Sequence, residues 1–188
     1  ALIFEYDLST GFDLSTASYN SNSFDFSGQA NSGARDLVFN NNGTKMYLLS
    51  LTGTPSVYQY SLSTAFDITS ASYDSVSFAV NSQEIDPTGM SFNTDGTKML
   101  VAGFNSDAVH QYSLTTAYDI STASYDSVSF SIVGQTSGIR DLVFGNSGQK
   151  MYVIDGTTVY QYSTSTTSYT NQMNKTQLDA VPDANHFT

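Results

Sequence analysis

The sequence contains no cysteine, which excludes disulfides, thiolate metal sites and a cysteine nucleophile. Charge is also scarce. Asp, Glu, Lys and Arg make up 12% of the 188 residues, about half the usual share. Basic residues are scarcest, with 6 Lys and Arg against 17 Asp and Glu, for a net charge of −11. Neutralising phosphates needs clustered Lys and Arg, so no nucleic acid is expected as a partner. An anionic membrane surface is disfavoured for the same reason. No apolar run approaches the roughly 20 residues that span a bilayer, so no membrane insertion is expected. No signal peptide is visible, and the start at Ala1, inside a repeat, reads as a processed or trimmed polypeptide.

What is present is a core. The chain holds 13 Tyr and 12 Phe, and 39% of it is hydrophobic, enough to exclude a disordered chain and to fill a sizeable interior. Ser, Thr, Asn and Gly take the place of charge, a composition expected of an extracellular or virion protein.

The chain also repeats itself. Val57-Tyr-Gln-Tyr-Ser-Leu-Ser-Thr-Ala-Phe-Asp-Ile returns as Val109-His-Gln-Tyr-Ser-Leu-Thr-Thr-Ala-Tyr-Asp-Ile, 52 residues on. It returns again 50 residues later as Val159-Tyr-Gln-Tyr-Ser, and a looser copy opens the chain at Ile3-Phe-Glu-Tyr-Asp-Leu-Ser. A fixed period near fifty marks a tandem array of one small supersecondary unit. In the copy covering residues 89–133, Met90-Ser-Phe-Asn and Lys98-Met-Leu-Val-Ala flank an Asp95-Gly96 turn and form a hairpin. Val109-His-Gln-Tyr-Ser-Leu is a third strand. After a connector comes a fourth, with Val128, Phe130 and Ile132 on one face and Ser127, Ser129 and Ser131 on the other. The fold class expected is all-β: tandem four-stranded antiparallel repeats of about fifty residues, stacked as β-propeller blades. The domains expected are a repeat region over residues 1–165, about three blades, and a linker and tail over 166–188.

Phe92-Asn-Thr-Asp-Gly-Thr-Lys-Met-Leu and Tyr6-Asp-Leu-Ser-Thr-Gly-Phe-Asp-Leu-Ser-Thr-Ala-Ser resemble a family of β-propeller repeats. Its blades carry Asp-Gly-Thr-Lys-Met-Tyr-Val, and it occurs in marine phage structural proteins and bacterial surface proteins. The resemblance covers residues 1 to about 165 and departs at the connector tryptophan, which is Phe12, Phe66 and Tyr118 here. It implies a location and a role but supplies no catalytic motif.

Three blades are fewer than a closed propeller uses. Two chains could complete a six-bladed ring, the chain could be one piece of a longer propeller, or three repeats could close as a trefoil- or prism-like lectin. A homo-oligomer or larger assembly is therefore expected.

Chemistry is thinly represented. His110 sits where other copies carry Tyr58 and Tyr160, and His186 lies in the tail. Lys45, Lys98 and Lys150 share one repeat position, and Arg35 and Arg140 another; they read as framework, pairing with carboxylates such as Asp36 and Asp141 or covering turns. Asp13, Asp67 and Asp119 read as turn or capping groups. The Asn-rich turns lack the twelfth-position glutamate of a calcium loop. No cofactor, metal site or catalytic residue is expected, and the chain is not read as an enzyme. The ligand-binding candidates are Glu84 and Asp86, which precede a first strand and lack counterparts in Gln135-Thr-Ser137. The plainer reading of both is a loop carboxylate in solvent or bonded to backbone N–H groups. The function expected is a non-enzymatic virion structural or receptor-binding component, of tail-fibre or appendage type, touching a host-surface glycan or receptor. The alternative is a secreted or surface-anchored bacterial module for adhesion or glycan binding.

Overall fold

The computed structural model describes residues 1–30 and 32–163. The expected tail, residues 166–188, lies outside them. The described chain is all-β, with four antiparallel sheets in sequence order. An N-terminal hairpin pairs β1 (Leu2–Leu8) with β2 (Ala17–Asp25). The first full sheet runs through β3 (Ala34–Phe39), β4 (Lys45–Ser50), β5 (Ser56–Leu62) and β6 (Ala71–Ala79). The second runs through β7 (Pro87–Phe92), β8 (Lys98–Gly103), β9 (Ala108–Leu114) and β10 (Ala123–Ser131). A three-stranded sheet of β11 (Asp141–Gly145), β12 (Lys150–Ile154) and β13 (Val159–Ser163) follows. Each sheet is a plain meander, so the fifty-residue period is one sheet per repeat.

The turn between the first two strands follows from its residues. In the first full sheet Asn40 Oδ1 accepts from the Lys45 amide at 3.0 Å and Asn42 Oδ1 from the Thr44 amide at 3.2 Å; Asn93 and Asp95 do the same in the second. The connector then folds back over this turn. Phe66 and Tyr118 are held at φ 62° and 61°, and each donates its amide to the turn glycine, Gly43 or Gly96, at 2.9 Å. Each ring fills the space a Cβ on that glycine would need. Asp67 and Asp119 cap the 3-10 turns that follow, as the sequence led us to expect.

The fourth strand carries a feature that the alternating pattern conceals. Register slips between Gln59 and Tyr60 opposite β6, and between Tyr125 and Val128 opposite β9. Ser75 and Ser127 adopt φ 60° and 58° at these bulges. A bulge re-aims the side chain beside it. Asp74 therefore reaches two strands inward to Lys45 Nζ at 2.7 Å and to Gln59 Nε2 at 2.8 Å, and Asp126 reaches Lys98 and Gln111 at 2.9 and 2.7 Å. The lysines are framework, but their partners are these bulge aspartates rather than Asp36 and Asp141.

Neighbouring sheets are joined by one repeated contact. A fourth-strand Phe meets the edge or face of a third-strand Tyr in the next sheet: Phe24–Tyr60, Phe78–Tyr112 and Phe130–Tyr162, with centroids 5.3, 5.3 and 4.8 Å apart. All three tyrosines are essentially buried, and each such ring contributes on the order of 2 kcal/mol of burial. The first strands β3, β7 and β11 lie side by side, which brings their N-terminal ends and preceding loops to one face.

Candidate functional site

The face where the first strands begin gathers much of the charge outside the lysine network. Arg35 and Asp36 stand on β3, Asp141 on β11 with Arg140 just before it, and Glu84 and Asp86 in the loop before β7. At the equivalent position of β7 the residue is Gly89, and the reason is steric: a Cβ there would sit 2.5 Å from Asp141 Oδ1. On the other side, Asp36 Oδ2 accepts from the Met90 amide at 2.8 Å. The two carboxylates thus flank the Gly89–Met90 peptide. Burial raises the Asp36 pKa, and Asp141 adds to the effect, against two backbone N–H bonds that lower it. Arg35 pairs with Asp86 at 3.2 Å. Arg140 places its guanidinium 4.9 Å over the Phe104 ring.

The structure separates the two residues singled out from sequence. Asp86 is half exposed and shared with Arg35. Glu84 is fully buried. Its Oε1 accepts from the amides of Asp86 at 2.7 Å and Asn105 at 3.3 Å, and its Oε2 accepts from the Ser106 amide at 3.0 Å and hydroxyl at 2.5 Å. This carboxylate is the acceptor that satisfies the turn between β8 and β9.

Glu84 also has counterparts, on another element. In the C-terminal sheet Asp155, at the position of Gly103, accepts from the amides of Thr157 and Thr158 at 2.8 and 2.9 Å and from Thr136 Oγ1 at 2.6 Å. Thr136 holds the loop position of Glu84. In the first full sheet Ser50 accepts from the Thr52 amide at 3.0 Å. One oxygen-bearing side chain serves each turn, supplied from the loop in one repeat and from the strand end in the other two. Aligning the repeats on Gly103 and Asp155 gives the signal: the loop residue is an acid where the strand residue is glycine.

His110 extends the Glu84 group. Ser106 Oγ lies 3.0 Å from His110 Nε2. Because Ser106 spends its proton on Glu84, it accepts from Nε2–H, which fixes the tautomer. His110 Nδ1 is then a buried acceptor with no partner. The serine is central here, whereas hydrolase triads place the histidine in the middle. Among the described residues no three His, Asp or Glu side chains converge in a way that could hold a metal ion.

No known family profile matches the chain, and no curated protein does. Solved structures do. A candidate 6-phosphogluconolactonase from Bacteroides fragilis superposes with a TM-score of 0.59 at 15% identity, covering 86% of this chain and 44% of its own. A functionally unknown protein from Desulfotomaculum acetoxidans gives 0.56 at 15%, covering 76% and 41%. A Lactobacillus plantarum protein gives 0.53 at 15%, covering 71% and 38%. The chain therefore spans about two fifths of the length of these structures. At such identity the likeness is one of fold alone: consecutive small antiparallel sheets.

Proposed function

We propose that the chain is a β-propeller-type repeat scaffold that acts without catalysis, as a structural or receptor-binding component of a virion appendage. One observation carries this reading: the charged side chains that recur between repeats are engaged in holding strands, turns and sheets together. Lys45 and Lys98 hold fourth strands, and Glu84 and Asp155 hold turns. What remains at the surface is Ser, Thr, Asn and aromatic, a surface suited to contact with glycans or proteins. The alternative, a secreted or surface-anchored bacterial adhesion module, would use the same surface.

The test combines turnover and binding. Chromogenic lactone and glycoside substrates should not be hydrolysed, and the labelled chain should bind a subset of bacterial surface polysaccharides on an array. Hydrolysis that disappears in Asp36→Asn would replace the scaffold with an enzyme. Detection of the protein in purified virions rather than in cell envelopes would select the appendage over the adhesion module.

A further inference from the structure

In both four-stranded sheets the connector and fourth strand are locked by three contacts. The connector aromatic covers the turn glycine, as Tyr118 covers Gly96. The amide two residues later donates to the third-strand glutamine of the preceding sheet, as Ile120 donates to Gln59 Oε1 at 2.9 Å. The bulge aspartate receives lysine and glutamine, as Asp126 receives Lys98 and Gln111. At the N-terminal side Glu5 replaces glutamine and still accepts from the Ile68 amide, at 3.2 Å.

The C-terminal sheet holds the receiving half of all three contacts. Nothing lies within 4 Å of a Cβ placed on Gly148. Gln111 Oε1 has no partner among the described residues, although its amide nitrogen is bound as in Gln59. Lys150 Nζ bonds Ser163 at 2.6 Å, as Lys98 bonds Ser113, but meets no carboxylate there. The Gln161 side chain likewise has no described partner, and β13 is a sheet edge among the described residues. An edge strand is a template for another strand.

We propose that the outer edge of β13 is a docking site for a β-strand of this same repeat class, with its connector, carried by a further copy of the repeat. Its aromatic would cover Gly148, its amide would meet Gln111, and its bulge aspartate would bridge Lys150 and Gln161. The hairpin of a second copy of this chain is a poor match: β2 carries Asn20 at the aspartate position, already bonded to Glu5 at 2.6 Å. Strands β6 and β10 are committed to their own sheets. Residues 164–188 contain no Tyr-Asp-Ser run. This inference concerns assembly and does not depend on what the finished surface binds.

Calorimetric titration of the full chain with a synthetic peptide of residues 115–131 tests it. Saturable one-to-one binding is expected, weakened roughly tenfold when the peptide carries Asp126→Asn, because a charge-assisted pair is lost. In the Lys150→Met chain the two peptides should bind alike, the signature of a direct pair in a double-mutant cycle. Absence of binding, or equal binding of both peptides to the unaltered chain, overturns the proposal. So does self-association of the chain that excludes the peptide. The peptide variants leave the chain's own folding untouched.

Discussion

Glu84 and Gly103 share one volume: a Cβ added to Gly103 would lie 2.0 Å from Glu84 Cδ. The glycine is the space into which a buried carboxylate folds to reach its turn. Gly103→Ala should therefore destabilise the chain by about 3 kcal/mol, since it displaces a group whose donors have no other acceptor. Urea denaturation followed by tyrosine fluorescence measures it. A cost below about 1 kcal/mol would mean that the carboxylate relocates freely.

Glu84→Gln isolates charge from shape. It keeps the volume but turns one acceptor oxygen into a donor facing N–H groups, so a loss of about 2 kcal/mol is expected. Combined with Gly103→Asp, which recreates the Asp155 arrangement of the C-terminal sheet, it should recover part of that loss. A double variant no more stable than Glu84→Gln would show that the two arrangements are not equivalent.

The turn glycines provide an internal control. Gly96 and Gly148 both have positive φ, +73° and +82°, but only Gly96 faces a ring, with Tyr118 Cδ2 2.3 Å from its Cβ position. Gly148→Ala should cost about 1 kcal/mol for conformation alone, and Gly96→Ala at least twice that. Equal losses would remove the ring from the explanation.

Much of this was legible in the sequence. The 52- and 50-residue shifts and the Asp95-Gly96 turn placed every strand close to its observed position. The bulge was not legible, because Tyr-Asp-Ser-Val-Ser-Phe alternates as a flat strand would, and the positive φ of Ser75 leaves no compositional mark. With the bulge went the true partner of each lysine. Glu84 was hidden for another reason. Its neighbours Gln83, Ile85 and Asp86 read as a solvent loop, while the feature that buries it, Gly103, lies nineteen residues away.

Acid should loosen the sheets through Asp74 and Asp126. Burial opposes their ionisation, but hydrogen bonds from lysine, serine and glutamine outweigh it and lower both pKa values. Stability from these groups is present above the unfolded pKa of about 3.9 and is lost as pH falls through the lower folded value. In the double variant Asp74→Asn/Asp126→Asn, the dependence of the melting temperature on pH should flatten below pH of about 4. An unchanged slope would assign acid loss to other carboxylates.

His110 acts at a higher pH. Burial lowers its pKa from the usual 6.5, partly offset by the Glu84 charge. The folded chain thus holds fewer protons than the unfolded one. The contribution is complete above pH of about 6.5 and is lost as pH falls toward the folded value. His110→Tyr, the residue of the flanking repeats, should abolish this part of the stability profile. Retention of the slope in that variant would exclude the histidine.

The side-chain bonds that cross between sheets share a short reach. Arg35 to Asp86, Asp36 to Met90, Gln59 to Ile120, Glu5 to Ile68 and Tyr47 to Tyr118 all join one sheet to the next and no further. A gene built this way can gain or lose whole modules by recombination, because each junction recognises only the module beside it. Particle dimensions could then drift between related lineages while the local code of glutamine, lysine and bulged aspartate is inherited unchanged.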